Sequence, residues 1–415
     1  MRILLLEMKR VIKSRMTWIL LAVAVAVSAL ISWQVVSEAQ YRYADESGEL
    51  VKISGTAAIH ARKELMQPYE GPVTEEKLRN ALQIFQSIYK KYGGGDGENI
   101  PQNVYYGKVV PIEPFLDMIY SVYPKSGSYY EALSKVSPNE ISGFYQDRSQ
   151  ALRSQMEAKY PENQNVLREV QKLNEKVRTP FKLIEGYTND NSTNLCILIF
   201  LLVFIGTTIA SPVFSAEYQN GSDDILRCTK NGHTKFAVAK LCSALLILLA
   251  MFAVCMLTFV LVVNNAYGWD SLQTSVQMMF PLSFVPFTVG REQGLTILAG
   301  LLTLLAAACF VLFASAKCRH STSALIIAVA FCIFPAILHT VWHGNIADFV
   351  TCVLPTGGAG ISHNFFSQLN QAVFITFGPF SVWTPRLTMA AALIEIPLFI
   401  ILAVRAYCKH QDRVQ

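Results

Sequence analysis

Six stretches of the chain are long and apolar enough to cross a hydrocarbon core as helices, which takes about twenty consecutive apolar residues. They run over 17–36, 194–214, 236–263, 295–316, 323–342 and 387–407. The first reads TWILLAVAVAVSALISWQVV. Its apolar length exceeds the roughly 7–15 residues of a signal-peptide core, so it is expected to stay as a span. Between the first two runs the pattern changes to a polar segment, 37–193. There Thr74 serves as an N-cap and Glu75 and Glu76 favour a first turn, while Leu78, Leu82, Phe85, Ile88 and Tyr89 recur at helical spacing. Gly93, Gly94 and Gly95 stop that helix, and a second helical region spans about 147–177 with a break at Pro161. The segment reads as a folded, mostly helical domain.

Composition agrees with this division. The chain of 415 residues is 52% hydrophobic and only 16% charged, against about 25% charged in an average soluble domain. Mean hydropathy is +0.33 with the polar segment averaged in. A purely soluble enzyme, a disordered protein and a nucleic-acid-binding arm are excluded. The lipid bilayer is the implied surrounding, and nucleic acid is not an expected partner.

The net charge of +5 tells less than its placement. Arg2, Lys9, Arg10, Lys13 and Arg15 precede the first run, and Arg227, Lys230, Lys235 and Lys240 lie around the connection to the third. Lys317 and Arg319 join the fourth to the fifth; Arg405, Lys409 and Arg413 close the chain. Every second connection is basic, so the positive-inside rule puts both termini in the cytoplasm and 37–193 outside. That segment carries 19 Lys and Arg against 21 Asp and Glu, and long segments cross largely regardless of charge. None of the nine cysteines falls in it, which points to a bacterial cell surface without disulfides. Asn191-Ser192-Thr193 matches a glycosylation sequon but abuts the membrane, and is read as coincidence.

The most informative connection reads SAEYQNGSDDILRCTKNGHTKF, residues 215–236. Ser222 as N-cap, Asp223 and Asp224 on the positive helix end, Lys230 in the last turn and Asn231-Gly232 as a stop predict a helix over 223–230. Ile225, Leu226 and Thr229 form one face. Such a helix is too short to stand alone, so it packs on the membrane surface or on a partner.

With Phe214, Glu217, Gly221-Ser222, Leu226, and Lys230 or Lys240 in that order, this loop resembles that of the type-2 ABC transporter permeases. In those proteins an aromatic residue and a glutamate leave the second span, followed by a small-residue step, a leucine and a basic residue. The resemblance extends over the whole topology. It implies an all-α polytopic membrane protein with six transmembrane helices and a large, mostly helical extracellular domain between helices 1 and 2. Residues 1–16 become an amphipathic elbow helix, with Ile3, Leu4, Leu6, Val11 and Ile12 on one side, and 215–235 a cytoplasmic coupling loop. Residues 344–386 become a re-entrant segment on the exit side, and 408–415 a tail.

The resemblance also implies ABC ATPase subunits that engage the coupling loop through Glu217, Gly221, Asp223, Asp224, Leu226, Arg227 and Lys230. ATP and Mg then sit at the partner ATPase, and this chain binds no cofactor. A second permease copy or paralogue completes the complex; Ala22, Ala26 and Ala29 of the first span permit close approach. The implied activity is export of a hydrophobic or amphiphilic substrate, such as a peptide or antimicrobial, across the bacterial plasma membrane.

Polar groups inside the apolar runs are the remaining candidates. LPTGGAG, 354–360, breaks structure at Pro355, and the following NFFSQLNQAVFITF is apolar enough to dip into the bilayer; a surface loop with a buried aromatic patch is the alternative. Glu395 stands near the middle of the last run, two residues before Pro397. A charge there costs about 2.5–3.5 kcal/mol on insertion scales, so it faces the bundle or is protonated. Glu395, Pro397 and Pro355 are candidates for a translocation path or gate; a plain helix contact is the alternative for Glu395. His339 and His343 are four apart but lack the zincin glutamate, and no metal site is expected. No phosphate loop, HExxH or GxSxG occurs, so no enzyme signature is present. The rival reading is a membrane-anchored extracellular ligand-binding or sensor protein without transport.

Overall fold

The computed structural model describes residues 2–45, 49–92, 99–161, 163–223, 228, 232–342, 344–360, 364–378 and 380–409. Helix α1 (Arg2–Lys13) carries Arg10 and Lys13 in its last turn and leaves Leu5 and Leu6 exposed. Such a basic, one-sided helix suits a membrane interface. It leads through Ser14 into α2 (Arg15–Ser37). Ala24, Ser28, Ser32 and Val35 of α2 are buried against the bundle, and Ser28 Oγ donates to the Cys255 carbonyl at 2.7 Å.

The inserted domain follows. An antiparallel ribbon pairs β1 (Gln40–Ala44) with β2 (Leu50–Ser54), Gln40 opposite Ser54. Then come α3 (Thr56–Met66), β3 (Gly71–Val73) and α4 (Glu75–Tyr92). Thr74 Oγ1 accepts from Lys77 N at 3.2 Å, the expected cap, and Leu78, Leu82, Phe85 and Ile88 are buried. Gly93, Gly94 and Gly95 lie outside the described residues. After short turns over 102–112, α5 (Glu113–Val122) and α6 (Tyr129–Ser134) complete a core with Phe115, Leu116, Ile119, Leu133 and Phe144. The long helices α7 (Phe144–Lys159) and α8 (Gln164–Asn174) flank Pro161, where the break was expected. Strand β4 (Phe181–Leu183) returns to pair with β3, Val73 opposite Phe181, and closes the domain on its own beginning.

The membrane body comprises α9 (Asn189–Ala210), α10 (Pro212–Asn220), α11 (Thr234–Tyr267), α12 (Val289–Lys317) and α13 (Ser321–Val341). Among the described residues, five helical segments are long and apolar enough to span: Arg15–Ser37, Asn189–Asn220, Thr234–Tyr267, Val289–Lys317 and Thr384–Cys408. The expected span 323–342 falls on α13, whose apolar run Ser321–Pro335 covers roughly 22 Å of a ~30 Å hydrocarbon core.

The segment after α13 is a helix, a break, a second helix and a hairpin. These are α14 (Asn345–Val353), the buried Pro355 and its following glycines, α15 (Phe365–Asn370), and the ribbon of β5 (Phe374–Phe377) and β6 (Phe380–Trp383). Helix α16 (Thr384–Cys408) ends the described body. Three two-stranded ribbons among the described residues amend the all-α expectation. In the last of them, β-favouring FITF and FSVW flank Gly378, whose φ of +57° supplies the turn.

Domain and body are packed together rather than tethered. Leu152, Met156, Val166 and Val170 of α7 and α8 share one apolar cluster with Val276, Phe284, Val285, Phe374 and Trp383. At its centre Arg148, 2% exposed, donates through Nε to the Pro281 carbonyl at 2.7 Å and through Nη1 to Asn174 Oδ1 at 2.9 Å; it also reaches the Ser283 carbonyl. Burial pulls its pKa down only to about 10, so it stays charged at neutral pH. Lys159 donates to the carbonyls of Gln371 and Ala372, and Arg386 pairs with Glu169.

Two predictions concern this domain. Arg148→Met leaves the Pro281 carbonyl without its donor and the Ser283 carbonyl with Gln277 Nε2 alone, at an expected cost of about 1–3 kcal/mol. Hydrogen exchange over 275–288 should accelerate in the variant, and unchanged protection there would contradict the joint. Burial raises the pKa of Glu113, helped by Asp117, and burial likewise raises Asp117, against a 2.6 Å hydrogen bond from Tyr129. The native state then holds these protons more tightly than the unfolded chain. Stability should fall as pH rises from about 4 through the raised values, and Glu113→Gln should flatten that slope in pH-dependent melts.

Candidate functional site

Proline 212 sets up the first site. It interrupts the hydrogen-bond ladder between α9 and α10, and a neighbouring helix repairs the gap. Ser315 Oγ of α12 accepts from the amides of Phe214 and Ser215, each at 3.1 Å, and donates to the Ser211 carbonyl at 2.6 Å. The helix therefore runs on to Asn220, and the expected loop beginning at 215 starts only at Gly221. That glycine has φ +65°, and its amide caps the carbonyls of Glu217 and Tyr218.

Helix α10 carries Glu217 inward. Its carboxylate, 5% exposed, pairs with both Arg10 of α1 and Lys240 of α11. Arg10 also meets Glu7 at 3.1 Å. Lys240 has no exposed surface, and its Nζ donates to the Val213 carbonyl at 3.1 Å. Three rings surround that ammonium: Phe214 and Phe236 at 5.1 Å and Tyr407 at 6.0 Å from their centroids. An aromatic box lowers the cost of burying a cation beyond what the carboxylate supplies. Tyr407 OH donates to the Gly232 carbonyl at 3.3 Å, and Ser243 Oγ to the Leu4 carbonyl at 3.2 Å. One buried charge cluster thus ties the interfacial helix, the second and third spanning segments, the end of α16 and the far end of the loop.

Of the residues singled out from the sequence, Phe214, Glu217 and Lys240 come together here. Gly221 ends α10, and Asp223 is buried just beyond it. Asp224, Leu226, Arg227 and Lys230 lie outside the described residues. Arg10, Phe236, Tyr407 and Ser315 were missed. The basic, amphipathic start of the chain was the available signal for Arg10; nothing local marked the other three.

A second polar set occupies the domain side of the body. Asn264 Nδ2 donates to Gln293 Oε1 at 3.1 Å, and Gln293 Nε2 donates back to Asn264 Oδ1 at 3.2 Å. Next to it, Glu292, fully buried, accepts from Asn370 Nδ2 at 2.5 Å. Gln368 bridges Thr388 and the Gly357 carbonyl, and a Cβ at Gly358 would collide with Thr303 and lie 3.3 Å from Thr388 Cγ2. Pro355 is buried in this break, while Pro397 is exposed on α16. Glu395 shares the helix face of Thr388, Ala392, Phe399 and Ala403, about 10 Å deeper than Thr388 at 1.5 Å per residue. Phe399 on that face packs on Phe310 at 5.2 Å. Glu395 is half-buried, and its Oε2 has no hydrogen-bond partner among the described residues. It faces the bundle, while Pro355 lies at a different depth. Asn191 and Ser192 of the sequon are buried, and His343 lies outside the described residues.

Long apolar helices, interior polar groups and a charged helix junction define a helical, multi-pass membrane protein. The family model of the ABC-2 family transporter proteins matches residues 1–410, and the chain belongs to that family. It is thus a permease, the membrane component of an ABC transporter. Comparison with curated proteins and with solved structures returns no match.

The junction makes a quantitative prediction. Lys240→Met leaves Glu217 short of a buried partner and is expected to cost about 3–5 kcal/mol, whereas Lys240→Met with Glu217→Gln recovers part of that loss. Thermal melts in detergent read the cycle; additive losses would refute the coupling.

Proposed function

We propose that this permease exports a hydrophobic or amphiphilic substrate, driven by a separate ABC ATPase that engages the connection between α10 and α11. The observation that carries this reading is the junction behind that connection. Gly221 and Gly232 bound it, and both attach to the same charge cluster through Glu217 and Tyr407. A push on the connection reaches α1, α10, α11 and α16 at once. Glu217 on this reading holds the lever's root and the buried Asp223 anchors the start of the connection, while Asp224, Leu226, Arg227 and Lys230 supply the docking surface. ATP and Mg belong to the ATPase.

Six spans with both termini in the cytoplasm of a bacterial cell complete the proposal, with the inserted domain outside. The basic residues support it: Arg10, Lys13, Lys235, Lys317, Arg405 and Lys409 all lie at the end of the body away from the domain. A second permease copy or paralogue packs against α2. Ala22, Ala26 and Ala29 are exposed there between Trp18 and Trp33.

Two experiments test the reading. Asp224→Arg combined with Leu226→Asp should weaken co-purification with the ATPase by about ten-fold or more, equivalent to about 1.4 kcal/mol; undiminished association would remove the docking surface from this loop. Glu395→Gln should change the transport rate of the reconstituted complex without unfolding it. Unchanged transport and stability together would dismiss a role for Glu395 in the path.

A further inference from the structure

Three helices meet at the domain-side rim of the body around a cavity of about 440 Å³. They are the C-terminal end of α2, the middle of α3 and the first turn of α9. Because α2 ends at Ser37, α9 begins at Asn189 and α11 ends at Tyr267, the cavity lies at the depth of lipid head groups.

Its lining carries both signs of charge: Arg62 and Lys63 against Glu38, Glu185 and Asp190. Arg62 Nε meets Glu185 Oε1 at 2.6 Å, and Lys63 Nζ reaches the Tyr267 carbonyl at 3.1 Å and Asp270 at 3.2 Å. A lone anion entering here meets Glu38 and Asp190, and a lone cation meets Arg62 and Lys63. A ligand bearing both charges matches both.

Asn191 supplies the second, independent observation. It is 1% exposed and lines the cavity. Its Oδ1 accepts from Thr188 Oγ1 at 3.2 Å, but its Nδ2 has no hydrogen-bond partner among the described residues. A buried donor without an acceptor is costly, and a phosphodiester oxygen would satisfy it. An apolar helix face runs on from the cavity. Asn194 lines it, and Ile197 and Leu201 follow on the same face of α9 at i+3 and i+7, with Ile197 38% exposed.

We propose that this cavity binds the zwitterionic head group of a bilayer phospholipid, an ammonium joined to a phosphodiester, with an acyl chain lying along Ile197 and Leu201. The phosphodiester takes the Asn191 amide and the Arg62–Lys63 side, and the ammonium takes Glu38 and Asp190. The volume is ample for a phosphoethanolamine-sized head. The site needs only this chain in a membrane and does not rest on the export reading.

The full-length protein, purified in detergent, is titrated with short-chain phosphatidylethanolamine, and binding is followed by thermal shift and by adducts in native mass spectrometry. Phosphatidylethanolamine should raise the melting temperature and persist as a single adduct. Asn191→Leu should weaken binding about ten-fold, the loss of one hydrogen bond to a charged group. Thr193→Trp, at the exposed rim, should block the cavity without disturbing the packed interior and serves if Asn191→Leu does not fold. Equal binding by wild type and variants would overturn the site. Phosphatidylglycerol or inorganic phosphate matching the effect would overturn a zwitterionic ligand. Glycerophosphoethanolamine binding as tightly as the lipid would overturn the membrane as its source.

Discussion

A lysine with no exposed surface cannot remain charged in a membrane protein without a counter-charge and donors' partners arranged around it. Lys240 imposes that demand on everything nearby. Glu217 must stay helical and inward, which requires α10 to continue past Pro212, which in turn requires Ser315 to receive the freed amides. Phe214, Phe236 and Tyr407 must close over the ammonium. Arg10 then finds the other carboxylate oxygen, and the interfacial helix is fixed. Sequence separation matters little to this chain of necessity. One buried charge organises five segments.

The domain side is organised by a different necessity, the satisfaction of backbone polar groups where helices end and break. The carbonyls of Tyr267, Pro281, Ser283, Gln371 and Ala372 lie at a helix end or in connections, with no ladder to join. The inserted domain supplies their donors: Lys63 for Tyr267, Arg148 for Pro281 and Ser283, and Lys159 for Gln371 and Ala372. The polar surface of the domain is in this sense part of the membrane body's own hydrogen bonding.

Much of this was legible in the sequence, where periodicity or local chemistry speaks. The helix after Thr74 and the break near Pro161 follow from spacing, caps and proline alone. Phe214, Glu217 and a basic residue, Lys230 or Lys240, were picked out by their order along one loop, and Phe214, Glu217 and Lys240 converge. What stayed hidden depends on distant partners. Arg10 lies 207 positions from Glu217, and Arg148 lies 133 from Pro281; no window of sequence pairs them. The ribbons were hidden because four-residue strands such as FITF and FSVW look the same as apolar dips into a bilayer. Asn191, read only as part of a sequon, gained its meaning from the cavity beside it.

The fastening of α7 and α8 has a mechanical consequence. These helices bridge the connection between α11 and α12 and the hairpin that leads into α16, gripping one with Arg148 and the other with Lys159 and the Arg386–Glu169 pair. They act as a cross-beam. A motion that spreads those two segments apart has to break these hydrogen bonds, those of Arg148 in the interior and the others at the surface, whereas one that swings them together keeps them. The low-cost displacement of this side of the molecule is therefore a rotation of beam and posts as one body.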